Sequence, residues 1–512
     1  VGKNMSDVAK NPVDIHGHSF NRWSVAFLVL IGAFVSILME TALGTAVPSI
    51  MSAFDVNFAT AQTLTTAYML ANGMMIPLAA FLISRVPSKT LYTLAMGVMF
   101  LGTLLAAFTP NDSFGLLLTA RVLQALALGV AMPLMQVIFL NIFPAEQRGA
   151  AMGLTGVVMM LGPAIGPTLS GWLLTGKHNF FGYEFHGDWH AIFMVVLPIA
   201  AVAFLLSFFF LRDVLPTQKV KLDVRSLFES VIGFGLVLYA FNNVAEHGWG
   251  NLTSVVLPMI VGVLVVAEFA WHQTRMAEPF LDIRIFANVQ FLKIVVLGAI
   301  MMAAMLGVEM ILPTFLQNIK QLSALDSGLA LLPGAIVIGI LAPLAGVLYD
   351  KFGIRLMGTV GFVLLLAGTL PLTTITQDTA TWTVVAYYTL RMAGIGLVMM
   401  PVFTMAMNTI KPEQTTHGTV SQNTFNQVAS ALSTAVLSSV VASVTKSHLP
   451  NKSLAVTDQA AYAKKAMAAT IDGFHASFWI AVGVTVVGLI LLYMIPNKVT
   501  PHPNSGETPV MH

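Results

Sequence analysis

Cysteine is absent from the 512 residues, which excludes disulfides, thiol nucleophiles, thiolate metal sites and iron–sulfur clusters. Charge is scarce too. Only 9% of the residues are Asp, Glu, Lys or Arg, against about 25% in a soluble domain, so a soluble fold is ruled out. The 25 basic and 23 acidic side chains leave a formal net charge of +2, and no surface suited to nucleic acid is expected. No GxxxxGK[ST] loop, GxSxG elbow or HExxH pair occurs, which disfavours ATP-driven transport and hydrolysis. The 12 histidines, His190, His247 and His417 among them, fall at span ends or in loops without metal-ligand spacing. A protein that is neither an enzyme nor dependent on a cofactor is expected.

Apolar residues make up 56% of the chain, and they come in runs. A helix needs about 20 residues to cross about 30 Å of hydrocarbon. Fourteen stretches qualify: 24–50, 62–83, 90–109, 115–143, 149–175, 190–211, 227–246, 252–270, 290–318, 327–349, 356–375, 381–410, 416–444 and 474–495. Continuous apolarity favours helices over the short alternating segments of a barrel. Neither end resembles a cleaved signal, because residues 1–22 are polar and the first apolar run is too long.

Positive residues are retained on the cytoplasmic side of a membrane. With the N-terminus inside, 16 Lys and Arg fall in cytoplasmic segments and six outside, four of those six in one loop at 445–473. Both termini are therefore expected in the cytoplasm of a cell-membrane protein.

The chain also repeats itself. Pro77 to Lys89 aligns without gaps on Pro343 to Arg355 at an offset of 266, with Arg85 on Lys351 and Lys89 on Arg355. Glu40 and Glu309, Arg121 and Arg391, and Pro144 and Pro412 recur at offsets of 269, 270 and 268. Spans 1–6 and 9–14 read as duplicated halves, with spans 7 and 8 inserted. Parallel six-helix repeats are the architecture of transporters that hold substrate between the halves. The expected fold is an all-α polytopic membrane protein of 14 transmembrane helices, with two six-helix halves related by pseudo-two-fold symmetry plus two inserted helices. Its segments are 1–23, a cytoplasmic lead; 24–211, the first half; 212–289, a linker with the insert; 290–495, the second half; and 496–512, a cytoplasmic tail.

Ionisable groups deep in a span are expensive and mark function by default. Glu40, about 16 residues into span 1, and Glu309, about 19 into span 9, lie past the midplane toward the outer side. A carboxyl there gains or loses its proton as water or a cation reaches it, the property that proton coupling needs. Binding substrate, or merely bonding neighbouring backbone, remains open for both. Glu309 sits among Met305, Leu306, Val308, Met310 and Ile311, whereas Glu40 has Thr41 and Thr45 nearby, which makes Glu309 the expected proton carrier. Arg121 cannot deprotonate, so it acts either as a fixed partner for a carboxylate or as an anchor for packing. Arg391 and Lys293 are weaker candidates, and Glu229, Glu246 and Glu268 lie near span ends. The 29 methionines suit an adaptable apolar pocket, although ordinary packing accounts for most of them.

Several motifs resemble the major facilitator superfamily, and within it the 14-helix drug:proton antiporter branch of EmrB/LmrB-type multidrug exporters. Gly346-Val-Leu-Tyr-Asp350-Lys-Phe-Gly353-Ile-Arg355 is similar to that family's loop G-x-x-x-D-[RK]-x-G-x-[RK]. The first-half copy has Ser84 for the Asp and Pro87 for the Gly, and Ser84 is left as a weak helix cap. Gly162-Pro163-Ala-Ile-Gly166-Pro167 resembles the antiporter motif, with Pro167 in a glycine position. Such a segment is expected to bend and pack closely, although Gly and Pro are common in membrane helices without any mechanism. Arg121-Val-Leu-Gln124-Ala125 resembles R-x-x-Q-G. Leu38 to Pro48 and Pro279 to Phe286 resemble two further stretches of the branch.

The resemblance implies proton-coupled efflux of hydrophobic or amphipathic drugs by alternating access. The proton gradient would be the energy source, no cofactor is needed, and the functional unit would be a monomer in the bilayer. Export of one dedicated solute, such as a lipid, peptide or metabolite, is the alternative within transport. A receptor or structural protein without flux is the alternative outside it.

Overall fold

The computed structural model describes residues 12–499 apart from 57, 176, 181, 187, 218–222, 278, 280 and 451–457. Helix α1 (Arg22–Ala42) passes through a 3₁₀ turn at Leu43–Ala46 into α2 (Val47–Phe54), which ends at Asp55 in the left-handed region, φ 52°. There follow α3 (Phe58–Arg85), α4 (Ser88–Ala107), α5 (Phe114–Ile142) and α6 (Ala145–Thr175). A two-stranded hairpin, β1 (Lys177–Phe180) and β2 (Tyr183–His186), turns at Gly182 and leads into α7 (His190–Phe210).

The insert is α8 (Val224–His247) and α9 (Leu257–Arg275), and the chain finishes with α10 (Val289–Asn318), α11 (Ala324–Thr369), α12 (Thr381–Asn408), α13 (Thr415–His448) and α14 (Gln459–Leu492). Polar side chains start several of them. Asn21, Asp223, Asn288, Ser323 and Asp458 each accept a backbone N–H of the first turn, which satisfies donors that the helix itself cannot.

Thirteen described segments are long and apolar enough to cross a membrane, two of them along α11 and the 3₁₀ turn at Leu370–Thr374 that follows it. The 31-residue α6, packed between α1 and α11, supplies the fourteenth. Two expectations are corrected. The loop between spans 10 and 11 shrinks to a break at Gly353, whose φ of 75° and ψ of 173° interrupt an otherwise continuous 46-residue α11. The expected long loop at 445–473 is also largely helical, because α13 runs to His448 and α14 starts at Gln459. The segment Ala460 to Thr470 is rich in alanine, the strongest helix former, so it stays helical beyond its apolar part.

Two faces of the bundle follow from the connections. The terminal face carries the docked segment before α1, where the Ile15 N–H donates to the Asp213 carbonyl at 3.0 Å, and the α5–α6 and α12–α13 turns. The opposite face carries the β-hairpin. Helix α1 packs on α5 and α6, and α3, α4 and α7 complete that group. In the second group α10 packs on α12, α13 and α14, and α11 on α12. The groups meet where α6 touches α11 and α12, and where α13 touches α3 and α5. Glycines permit the closest approach. A Cβ on Gly346 would lie 2.1 Å from the Gly149 carbonyl carbon, and one on Gly153 2.4 Å from the Ala342 oxygen. Helix α8 lies against both α3 and α13, and α9 lies against α8.

Candidate functional site

The rarest side chains in this apolar molecule collect in two buried units. In the first, α1 ends near Glu40, α5 brings Arg121, and α3 brings Tyr68 and Asn72. The Arg121 guanidinium is fully buried. Its Nη1 donates to the Met39 carbonyl at 2.7 Å and to Gln124 Oε1 at 2.8 Å, and Gln124 Nε2 donates to Thr103 Oγ1 at 3.0 Å. Beneath it lies the Tyr68 ring, with its centroid 4.2 Å from Cζ, and the Tyr68 hydroxyl donates to the Ser36 carbonyl at 2.9 Å. Asn72 hydrogen-bonds the Glu40 side chain.

The second unit repeats the plan. Glu309 on α10 is 8% exposed and Arg391 on α12 is fully buried. Arg391 Nε donates to Thr369 Oγ1 at 3.2 Å, and Nη2 donates to the Ala304 carbonyl. Glu309, Tyr388 and Arg391 lie within electrostatic reach of one another. Each guanidinium thus holds a backbone carbonyl of the helix that carries the carboxyl, and each is braced by a threonine, directly in the second unit and through Gln124 in the first. Some polar atoms are left over. Glu309 Oε2, Arg391 Nη1, and Arg121 Nε and Nη2 are buried without a hydrogen-bond partner among the described residues. Buried polar groups are nearly always paired, so these atoms are available to a proton, water or solute that enters.

Glu40, Glu309 and Arg121 therefore come to lie in related surroundings, and Arg391, ranked low from sequence, stands as the counterpart of Arg121. Lys293 is only half-buried near the start of α10. Thr103, Thr369, Tyr68, Asn72 and Tyr388 were missed. A signal for the threonines exists: Gly102-Thr103-Leu104 recurs as Gly368-Thr369-Leu370 at an offset of 266. The glycines let the helices close in, since a Cβ on Gly102 would lie 2.9 Å from the Ala120 oxygen and one on Gly368 2.5 Å from the Tyr387 oxygen.

The glycine and proline segment of α6 backs the first unit. A Cβ on Gly162 would meet Ile37 at 2.4 Å and one on Gly166 would meet Thr41 Oγ1 at 2.2 Å, while Thr41 Oγ1 donates to the Gly162 carbonyl at 3.3 Å. The expected close packing against α1 is present, and α6 remains one continuous helix. The Pro163 side chain lies outside the described residues, as does that of Asp350.

Around the signature loop, Gly346 marks the crossing with α6, and Gly353 supplies the left-handed turn. The helix restarting after it is capped from afar. The Ile354 N–H donates to the Asn497 carbonyl at 2.9 Å, and the Arg355 N–H to Asn497 Oδ1 at 2.9 Å. In the first half, Ser84 does not cap the following helix, because its hydroxyl turns back to the Ala80 carbonyl at 2.9 Å.

Comparison with known proteins agrees with this fold. Residues 29–434 match the model of the Major Facilitator Superfamily. An uncharacterized MFS-type transporter of Bacillus subtilis, YcnB, is 37% identical over 94% of this chain and 97% of its own. The lincomycin resistance protein LmrB of Listeria innocua is 33% identical over 90% of this chain and 94% of its own. Among solved structures, the human organic anion transporter MFSD10 shares the fold, with a TM-score of 0.63 at 15% identity over 92% of this chain and 99% of that one. The family match and these relatives define a multi-pass transporter of the cell membrane that handles small molecules and is not an enzyme. The chain belongs to the Major Facilitator Superfamily.

Proposed function

We propose that the protein exports hydrophobic or amphipathic drugs in exchange for protons, by alternating access between the halves 24–211 and 290–495, with both termini in the cytoplasm and the monomer as the working unit. The observation that carries this reading is the unpartnered Glu309 Oε2 buried beside Arg391 and matched by Glu40 beside Arg121. A carboxyl facing a fixed cation changes the charge of the site by one each time it takes up or releases a proton, and the arginine does not titrate. Binding of a proton and of a cationic or polar cargo at one such site excludes the other, which is the requirement for exchange. The likeness to a lincomycin resistance protein supports a drug as the cargo.

Expression in an efflux-deficient host, screened against a panel of toxic compounds that includes lincomycin, tests the cargo. Inverted vesicles with an imposed pH gradient test the coupling. Protection by the wild type against several unrelated compounds, lost with Glu309→Gln, is expected. Protection against none points to a dedicated solute.

A further inference from the structure

Gln136 and Asn423 are uncharged and 287 residues apart, yet they form a buried contact between the two halves. Gln136 lies six residues before the end of α5 and Asn423 eight residues into α13, so both lie within the terminal-face third of the bundle. Asn423 Nδ2 donates to Gln136 Oε1 at 2.6 Å, and the two residues are 8% and 1% exposed. The other Gln136 amide atom, Nε2, faces Met159 Sδ at 4.0 Å. Below Asn423 on the same helix, Gln422 Nε2 donates to Asn426 Oδ1 at 3.2 Å and to the Val295 carbonyl of α10 at 3.4 Å. The amide row on α13 is thus tied to its own half on one side and to Gln136 of the other half on the other.

The repeat makes this contact stand out. At an offset of 268, Asn423 corresponds to Thr155 of α6, at the equivalent crossing with α12. There Thr155 Oγ1 meets Met400 Sδ at 3.6 Å, a hydroxyl against a thioether in place of two amides. Thioether sulfur is a weak acceptor, so of the two equivalent crossings the one between α5 and α13 is held by the stronger polar contact. While the contact holds, the two buried amides satisfy each other through this hydrogen bond.

We propose that the Gln136–Asn423 hydrogen bond is a latch that keeps the terminal-face end of the transport path shut, and that it breaks each time that end opens. The proposal rests on the alternating-access reading, but its test needs neither cargo nor gradient. Met132 lies one turn before Gln136 on the same side of α5 and is half-buried, behind the latch as seen from the terminal face. Because the chain has no cysteine, Met132→Cys in the full-length protein gives a single reporter thiol for a membrane-impermeant maleimide. Labelling is followed in vesicles of both orientations, and a protease-cleavable terminal tag identifies which orientation exposes the terminal face.

Slow labelling from the terminal face is expected for the parent, and a rise of about tenfold with Gln136→Leu or Asn423→Leu. Asn423→Ser is the milder variant, too short to span the gap, and carries the same expectation. The exchanged pair Gln136→Asn/Asn423→Gln is expected to restore slow labelling, and Thr155→Val to leave it unchanged. Parent-like labelling in the single variants overturns the latch. So does a rise that the exchanged pair fails to reverse, since packing alone then explains the contact. Loss of drug export with an intact labelling pattern counts against the proposed function and leaves the latch standing.

Discussion

Asp213 Oδ1 accepts the backbone N–H of Lys89 at 2.9 Å. Asn497 does the same for Arg355 at the same distance, and Lys89 and Arg355 are 266 residues apart, the offset of the repeated loop. In each half, a residue just beyond the sixth span caps the third span, so the segment leaving each six-span group is fastened to the loop that carries the family motif. Ser88 adds to the first fastening, with its hydroxyl donating to the Arg212 carbonyl at 3.3 Å and accepting the Val214 N–H at 3.0 Å.

Asn497→Ala is expected to lower stability by about 1 kcal/mol, the usual worth of a lost cap, and Asn497→Asp to retain it. Gly353→Ala is expected to cost more, because alanine is strained at a φ of 75° and its Cβ would lie 2.6 Å from Asn497 Oδ1. Melting midpoints of the detergent-purified variants check both. A midpoint for Gly353→Ala at or above that of Asn497→Ala would contradict the assignment.

Glu309→Gln keeps the shape of the side chain and removes its titration. It is expected to abolish export driven by a pH gradient while leaving some binding of cargo. Glu40 already shares its carboxyl with Asn72, and Glu40→Gln is expected to impair cationic compounds more than neutral ones. Gradient-driven efflux in inverted vesicles reads both effects, and full transport by Glu309→Gln would remove it as the proton carrier.

Tyr68 serves Arg121 with its face and Ser36 with its hydroxyl. Tyr68→Phe, which keeps the face, is expected to lose about 1 kcal/mol of stability, and Tyr68→Leu distinctly more, because it also strips the ring from beneath the guanidinium. Equal losses would show that the ring contributes nothing.

Asp223 caps α8 through the Ser226 N–H at 3.0 Å. Partial burial pushes its carboxyl up, but the Ser226 hydroxyl, the backbone N–H groups and nearby His272 outweigh that and hold it below the ordinary carboxylate value. A depressed carboxylate contributes stability above its unfolded value, and that contribution is lost as pH falls through its folded value. Asp223→Asn is therefore expected to be less stable than the wild type at pH 7, with the difference shrinking as pH falls below about 4 and gone only below the depressed folded value. Melting curves across that range check the sign.

The 16-to-6 division of basic residues between alternate connections predicts that tags on both ends are cleaved by protease only in inverted vesicles. Cleavage of either tag on intact cells would reverse the orientation.

How far the sequence could be read depended on how rare each signal is. Glu40, Arg121 and Glu309 stood out because charge is scarce in apolar spans, and the helices were visible as unbroken apolar runs. Arg391 was undervalued, since its partners Thr369 and Ala304 lie 22 and 87 residues away. Neutral polar groups such as Thr103, Asn72, Gln136 and Asn423 are common in membrane helices, and only their pairing across the bundle distinguishes them. Asn497 carries no local mark of a cap, because the helix it caps begins 143 residues earlier. The start of α14 was placed too late because Lys464 and Lys465 read as loop, whereas the alanines around them specify helix.

The insert leaves the terminal face beyond Asp213, turns at Gly248 with a φ of 76°, and comes back to the same face by Asn288, whose Nδ2 donates to the Thr409 carbonyl at 2.8 Å. Crossing twice, it has even parity. One extra helix at this junction would have started α10 from the opposite face, setting the second copy upside down and turning a parallel duplication into an inverted one. Only an even number of crossings, of which one hairpin is the smallest, can be spliced in or cut out here while the second copy keeps its polarity.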